Sequence, residues 1–227
     1  MRRALLSLLL FNVITAGAQE LAQVSFQGGS GLRCFALVAD QDLLIRISPE
    51  GHLLEWGVEM QSIRSGNYYA PNLQPYPGRI EYYGPEADSV SRGKVKSIGS
   101  AVITYFQLYE TPEKVGKIRS VGRQFFDYYG NFDQKILQGK IKGIGNTSLE
   151  YYTGFDDISL QGKLKSVGST RISYYNSFDD KFIRGKLKSI GTVAYNWYSS
   201  LENNSFGGGL KAGPLRQNTG GVVYIIQ

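Results

Sequence analysis

A phrase of seven residues recurs five times in this chain at a constant interval. It reads GKVKSIG at 93–99, GKIRSVG at 116–122, GKIKGIG at 139–145, GKLKSVG at 162–168 and GKLKSIG at 185–191, so successive copies begin 23 residues apart. A degenerate copy opens one interval further on, at Gly208. A fixed period of this length indicates a repeat architecture in which each unit buries its apolar face against its neighbours.

One unit, residues 162–184, predicts a β-hairpin. It reads GKLKSVGSTRISYYNSFDDKFIR, in which two alternating segments are separated by turn-forming residues. Glycine (28 residues) and tyrosine (16 residues) are abundant in the chain, as in proteins built from strands and turns. We therefore predict an all-β fold, in which tandem 23-residue β-hairpins form an elongated, twisted antiparallel meander or a solenoid-like array.

The alternation also predicts which way each side chain points, because successive residues of a strand face opposite sides of a sheet. A three-residue turn at 168–170 would place Leu164 opposite Tyr174, and a four-residue loop at 177–180 would pair Tyr174 with Ile183. Both turns put Leu164 and Tyr174 on the inward face. That face then carries what we call the first aromatic column: Tyr82, Tyr105, Tyr128, Tyr151, Tyr174 and Trp197.

The outward face is predicted to carry organised charge. By the same parity, Leu187 and Ser189 point inward, whereas Lys186, Lys188 and Ile190 point outward. The outward positions form a first lysine column (Lys94, Lys117, Lys140, Lys163 and Lys186) and a second basic column (Lys96, Arg119, Lys142, Lys165, Lys188 and Lys211). A second aromatic column shares this face: Tyr83, Phe106, Tyr129, Tyr152, Tyr175 and Tyr198.

Two interpretations of this face remain open. It is either a solvated sheet surface stabilised by cross-strand pairs, or a binding surface on which rings stack on sugars and ammonium groups attract anions. The second interpretation suits an anionic glycan. The candidate binding residues are Lys94, Lys117, Lys140, Lys163, Lys186, Lys96, Arg119, Lys142, Lys165, Lys188, Tyr129, Tyr152, Tyr175 and Tyr198.

The first residues resemble a secretory signal peptide. Arg2 and Arg3 precede an apolar stretch at 4–15, and small residues at 16–18 predict cleavage before Gln19. We predict a signal peptide at 1–18, an N-terminal β region with a degenerate hairpin at 19–77, the repeat array at 78–215 and a C-terminal strand at 216–227. The expected location is secreted or periplasmic, at the cell envelope.

Residues suited to catalysis are scarce. Cys34 and His52 are the only cysteine and histidine, and we expect Cys34 to be buried and His52 to lie at the surface. The aspartates at 133, 156–157 and 179–180 favour turn formation, and a loop Ca²⁺ site or a pair of glycosidase carboxylates is the alternative. We predict no catalytic residue, no metal site and no cofactor.

The 23-residue period and the phrase G-K-[LI]-K-S-x-G resemble MORN-type short hairpin repeats, including bacterial variant repeats, over residues 78–215. The glycine and tryptophan spacing inside a MORN unit is absent. The resemblance implies a β-sheet array used for scaffolding or binding, and it transfers no catalytic residue to this chain.

The combined prediction is an exported, non-enzymatic repeat protein that acts as a scaffold or binding module at the cell envelope. Its expected partner is an anionic envelope polymer or another protein, export argues against nucleic acid, and membrane association stays open. The alternatives are an outer-membrane β-barrel and a glycan-processing enzyme. A unique site is expected where the repeat pattern fails, and the sequence shows such breaks at 109–113 and at 196–205.

Overall fold

The structure is a computed structural model that describes residues 21–39, 42–59, 73–202 and 206–227. The predicted signal peptide at 1–18 and its cleavage site lie outside these ranges. The strands are β1 Leu21–Gln27, β2 Gly31–Val38, β3 Leu43–Ile47, β4 Leu53–Glu59, β5 Leu73–Gln74, β6 Ile80–Tyr82, β7 Val95–Ile98, β8 Ala101–Tyr105, β9 Ile118–Val121, β10 Gln124–Tyr128, β11 Ile141–Ile144, β12 Thr147–Tyr151, β13 Leu164–Val167, β14 Thr170–Tyr174, β15 Leu187–Ile190, β16 Val193–Ala194, β17 Asn196–Trp197, β18 Leu210–Ala212, β19 Arg216–Thr219 and β20 Val222–Ile226. Within the described ranges, no helix has the length and hydropathy needed to cross a bilayer.

The repeat units form one antiparallel meander, which confirms the predicted all-β fold class. Strands β6 to β16 lie side by side in chain order in an 11-stranded sheet, with β6 and β16 as its edges. The last, degenerate unit contributes the separate pair β17–β18. We call the 11-stranded sheet the repeat sheet.

The two ends of the chain build a second sheet, which we call the terminal sheet. Its strand order is β19-β20-β1-β2-β3-β4-β5, and β1 pairs with β20 in parallel. The segment 216–227 therefore holds a hairpin rather than one strand. Because β1 and β20 are adjacent, the terminal sheet links the beginning of the chain to its end.

A β-bulge in every unit changes the predicted parity. Ser173 pairs with Ser189 but Tyr174 pairs with Leu187, so that Lys188 is an extra residue without a partner. The extra residue shifts the alternation by one position. Leu187 and Ile190 are therefore both fully buried, and the prediction that they face opposite ways is wrong.

The predicted turn lengths are also wrong. Val167 pairs with Thr170, so the loop between β13 and β14 has two residues, Gly168 and Ser169. Gly168 has a φ of +54°, which suits glycine at the first central position of such a loop. Tyr174 pairs with Leu187 of the next unit and Leu164 with Tyr151 of the preceding one, although Leu164 and Tyr174 are both inward as predicted.

The two sheets pack face to face around one apolar core. Phe26, Phe35 and Ile45 of the terminal sheet belong to the same buried cluster as Ile103 and Ile172 of the repeat sheet. The first aromatic column enters this core, with the exception of Tyr82. Tyr82 is 55% exposed because it lies on the edge strand β6, which has a neighbour on one side only.

Two turns of the terminal sheet are hydrogen-bonded to the repeat sheet. In the turn between β1 and β2, the carbonyl of Gly29 accepts the N–H of Leu187 at 2.7 Å. In the turn between β3 and β4, the carbonyl of Gly51 accepts the N–H of Ile118 at 3.0 Å, and that of Pro49 accepts the N–H of Ile141 at 2.8 Å. The terminal sheet thereby holds several repeat units at once.

The other face of the terminal sheet buries the single cysteine. Cys34 is 1% exposed, as predicted, and it alternates along β2 with Phe35, which points into the core. Burial raises the pKa of the Cys34 thiol. A buried thiol with a raised pKa is a poor nucleophile.

Candidate binding surfaces

The first lysine column is part of the framework of the fold. The ammonium groups of Lys94, Lys117 and Lys140 each donate to the carbonyl of the glycine 22 residues later, at 2.5–2.6 Å. Lys163 and Lys186 donate instead to the turn between β1 and β2, at the carbonyls of Ser30 (2.7 Å) and Gly28 (2.8 Å). The prediction that this column points freely into solvent is therefore wrong.

The same ammonium groups lie over the first aromatic column. Their distances to the ring centres of Tyr105, Tyr128, Tyr151, Tyr174 and Trp197 are between 4.5 and 5.4 Å. Burial lowers the pKa of all five lysines because the charged form loses solvent. A flexible four-carbon side chain can bend in this way, and strand parity does not predict it.

The second aromatic column is engaged by the protein itself. Its hydroxyls donate to the carbonyl 20 residues later, for example from Tyr129 to Leu149 at 3.0 Å and from Tyr152 to Ile172 at 3.1 Å. Four of its rings make edge-to-face contacts with rings of the first aromatic column, at centroid distances of 5.8–6.1 Å. Little ring surface is left for stacking on a ligand, and a binding role for this column stays a prediction.

The second basic column remains accessible. Its members are the extra residues of the bulges, so they stand on the outer face of the repeat sheet. Lys142 and Lys188 are exposed, and each ammonium lies 5.5–5.6 Å from a ring centre of the second aromatic column. The exposed carboxylates of Asp127 and Glu150 lie on the neighbouring strands. The face is thus basic but not uniformly so.

A row of exposed apolar side chains, which sequence reasoning missed, lies at the loop tips. We call it the tip row: Tyr109 (78% exposed), Phe132 (100%), Phe155 (93%), Phe178 (94%) and Leu201 (94%), each 23 residues after the last. The signal was present in the sequence, since an acidic residue follows the apolar one in every unit. Side-chain parity could not find it because these positions lie outside the strands.

The acidic residues of the loops hold the tips in place. The carboxylates of Asp133, Asp156 and Asp179 each accept the backbone N–H three residues earlier, at 2.6–2.7 Å. These bonds close a turn, as predicted for aspartates in these loops. Hydrogen bonds from Thr153 lower the pKa of Asp156, so its carboxylate stays ionised at neutral pH.

Adjacent loops are also tied to one another. Gln134 accepts the N–H of Gly154 at 2.7 Å, and Asp157 accepts the N–H of Ser177 at 3.1 Å and its hydroxyl at 2.5 Å. Asp180 accepts both donors of Ser200 in the same way. These bonds link the loops that carry Phe132, Phe155, Phe178 and Leu201 into one hydrogen-bonded frame.

One cleft opens between the two sheets beside the loops. It has a volume of about 420 Å³ and lies between the turn at 28–31 and the turn at 48–51. Lys140, Lys163 and the buried ring of Tyr151 line it from the repeat sheet. Of the breaks seen in the sequence, 109–113 and the described part of 196–205 lie elsewhere.

Comparison of the chain with protein-family models, with curated proteins and with solved structures found no match. Among the residues that the structure describes, no group of three or more histidine, cysteine, aspartate or glutamate side chains is placed to hold a metal ion. The fold class is thus established by the structure, and function has to be argued from the surfaces above.

Proposed function

We propose that this protein is an exported, non-enzymatic repeat scaffold that binds an anionic glycan of the cell envelope. The observation that carries the proposal is the tip row, in which one exposed apolar side chain recurs per unit and three of them, Phe132, Phe155 and Phe178, are nearly fully exposed rings. Equivalent residues of adjacent units are separated by two strands, or roughly 9.5 Å. A row of evenly spaced apolar groups, three of them phenylalanines, suits a ligand that is itself repetitive.

The charge of the chain favours an acidic ligand. The net charge is +6 for the whole chain and +4 without Arg2 and Arg3 of the predicted signal peptide, and most of the second basic column is exposed along the outer face of the repeat sheet. A partner protein is the second candidate, because an exposed apolar row also serves protein contacts. The flexible, hydroxyl-rich surface of a glycan fits separate rings better than it fits one continuous apolar patch.

The test is a titration of the whole chain with a polyuronate, with neutral dextran as the control polymer. Changing Phe132, Phe155 and Phe178 together to Ser should weaken polyuronate binding at least tenfold. Changing Lys142, Lys165 and Lys188 together to Gln should weaken it and reduce its dependence on salt, because fewer charges are screened.

The matched control changes Asn146, Ser148 and Ser169 to Ala, since these side chains are exposed on the same sheet and carry no charge. The control should bind like the wild type. Equal affinity of all four proteins for the polyuronate would contradict the proposal, and so would equal binding of polyuronate and dextran.

A further inference from the structure

At the cleft, a backbone contact that the units on either side make is missing. The N–H groups of Ile118, Ile141 and Leu187 donate to the two turns of the terminal sheet. Leu164 holds the equivalent position in its unit, and among the described residues its N–H makes no such bond to either turn. The turns hold the backbone of the units on both sides, whereas they contact this unit through the side chain of Lys163.

A second bond of the pattern is missing in two neighbouring units among the described residues, those of Tyr151 and Tyr174. The hydroxyls of Tyr105 and Tyr128 donate to the carbonyls of Val95 and Ile118 at 2.9 and 2.7 Å, and the indole N–H of Trp197 donates to Leu187 at 2.6 Å. Tyr151 is only 3% exposed, and its hydroxyl is buried without a hydrogen-bond partner in the described structure. The hydroxyls of Tyr195 and Tyr224 are also buried without a partner in that part of the chain, but Tyr151 alone of the three lines this cleft, where a bound group would complete its hydrogen bonding.

Two lysine side chains line the same cleft. The ammonium of Lys140 lies 5.1 Å from the centre of the Tyr151 ring, and that of Lys163 also lines the cleft. Each donates to one backbone carbonyl, and an ammonium has three donors. The carboxylate of Glu50 is the one acidic side chain that lines the cleft.

The rest of the lining is apolar or neutral. Leu32 and Pro49 contribute from the terminal sheet, and Ile136 and Ile158 from the loops of the repeat sheet. A volume of about 420 Å³ lies in the range of small-molecule sites and accommodates one sugar residue. The donors of Tyr151, Lys140 and Lys163, together with the apolar side chains of the lining, suit a sugar that carries a single acidic group.

We propose that this cleft binds one acidic sugar residue, a uronate or a phosphorylated sugar. An oxygen of the acidic group accepts hydrogen bonds from the Tyr151 hydroxyl and from the Lys140 and Lys163 ammonium groups. The sugar ring contacts the isoleucines at the rim. This inference rests on the proposed binding of an acidic glycan, but it uses no residue of the tip row or of the second basic column.

Tyr151→Phe is the decisive variant because it removes only the hydroxyl that has no partner. Binding of glucuronate and of glucose 6-phosphate to the whole chain is measured by calorimetry, with glucose as the neutral probe. The wild type should bind at least one of the two acids and not glucose. The variant should bind that acid at least tenfold more weakly, with a melting temperature equal to or above that of the wild type.

Tyr128→Phe is the matched control, since its hydroxyl has a partner and lies outside the cleft. It should lower the melting temperature and leave the affinity of the folded protein unchanged. Lys163→Gln should weaken binding, whereas Lys117→Gln, which changes the same column outside the cleft, should not. Comparing the affinities for glucuronate and glucose 6-phosphate shows whether the cleft recognises a carboxylate or a phosphate.

Unchanged affinity in Tyr151→Phe would overturn the inference, and so would a wild type that binds neither acid. If the polyuronate binds while both monosaccharides fail, the cleft is not the site and the proposed function stands. If the acids bind in the cleft while the tip-row variant binds the polyuronate like the wild type, the proposed function fails and the cleft site stands.

Discussion

The ammonium of Lys117 lies 2.5 Å from the carbonyl oxygen of Gly139 and 5.3 Å from the centre of the Tyr128 ring. It therefore bonds one unit to the next and covers a core ring. A hydrogen bond that involves a charged group contributes about 1.5–3 kcal/mol, and a cation–π contact adds roughly 0.5 kcal/mol or more. The repetition of this lysine in every phrase follows from its role in the framework.

The two basic columns should differ in their effect on stability. Lys117→Ala is expected to lower the free energy of unfolding by about 1–3 kcal/mol, because a carbonyl loses its partner and a ring loses its cover. Lys142→Ala should change it by less than about 0.5 kcal/mol, since this side chain is exposed. Urea unfolding of both variants checks the difference. Equal shifts would show that the first lysine column is solvated after all.

The buried tyrosines predict a loss of stability in alkaline solution. Burial raises the pKa of Tyr195 to about 12, and it also raises the pKa values of Tyr128, Tyr151 and Tyr174. In the unfolded chain tyrosine ionises near pH 10, so the folded state holds more protons above that pH. The contribution is complete below about pH 10 and is lost as the pH rises towards the folded pKa values.

The lysines act in the opposite direction, because burial lowers their pKa and the unfolded chain then binds more protons as the pH approaches about 10.5. The tyrosines should outweigh them, since more tyrosines than lysines are shifted. Urea midpoints between about pH 8 and pH 11 should therefore fall, together with the appearance of tyrosinate absorbance. A midpoint that stays constant or rises over this interval would refute the expectation.

The inward direction of Leu164 and Tyr174 was predicted correctly from the sequence, although both turn lengths used in that prediction are wrong. It could not predict the place of the ammonium groups. A lysine can extend into water or bend onto a carbonyl, and the choice depends on the loop backbone of the next unit. The buried hydroxyl of Tyr151 was equally hidden, since this tyrosine reads like every other tyrosine of its column.

At the level of the element, the hairpin itself was predictable and its register was not. One extra residue per unit moves Ile190 inward, and alternation in the sequence is compatible with both registers. The loop between β13 and β14 is closed by two residues, and the choice between two and three depends on the strand twist. The connection between β14 and β15 has 12 residues, whereas the prediction gave it four. The prediction was too short because the loop includes Gly185 and Lys186, the first two residues of the repeated phrase.

The tight loop gives a prediction at this scale. Gly168→Ala should cost about 1–2 kcal/mol, because an L-residue at a φ of +54° is strained. A Cβ there would meet Thr147 only at 3.9 Å, so steric overlap adds nothing. Gly143 is the control, because its φ is not positive and an added Cβ would lie 3.6 Å from the nearest atom. Gly143→Ala should stabilise the protein by about 0.4–1 kcal/mol.

Denaturant midpoints of the two variants measure the contrast. A loss in Gly168→Ala beside a gain in Gly143→Ala supports the two-residue loop. If Gly168→Ala is neutral, the loop has another conformation and the register of β13 and β14 must change with it.

At the level of the whole molecule, the terminal sheet distinguishes this fold from a plain array of hairpins. In such an array each unit contacts only its neighbours. Here the turns at 28–31 and 48–51 reach units that lie far apart in the chain, and β1 pairs with β20. The array could be predicted because it repeats. The terminal sheet could not, because its strands are unique segments whose partners are distant in sequence.

In the whole molecule, among the described residues, the turns of the terminal sheet bond the backbone of the repeat units on both sides of the unit of Leu164 and not the Leu164 amide itself. Native-state hydrogen exchange at four of the equivalent amides, those of Ile118, Ile141, Leu164 and Leu187, tests this arrangement after correction for intrinsic rates. We predict slow exchange at Ile118, Ile141 and Leu187, and exchange at Leu164 that is faster by a factor of about ten or more. Equal rates at all four amides would refute this arrangement. Uniformly fast exchange would show that the turns protect none of these amides, and uniformly slow exchange would show that the Leu164 amide is protected as well.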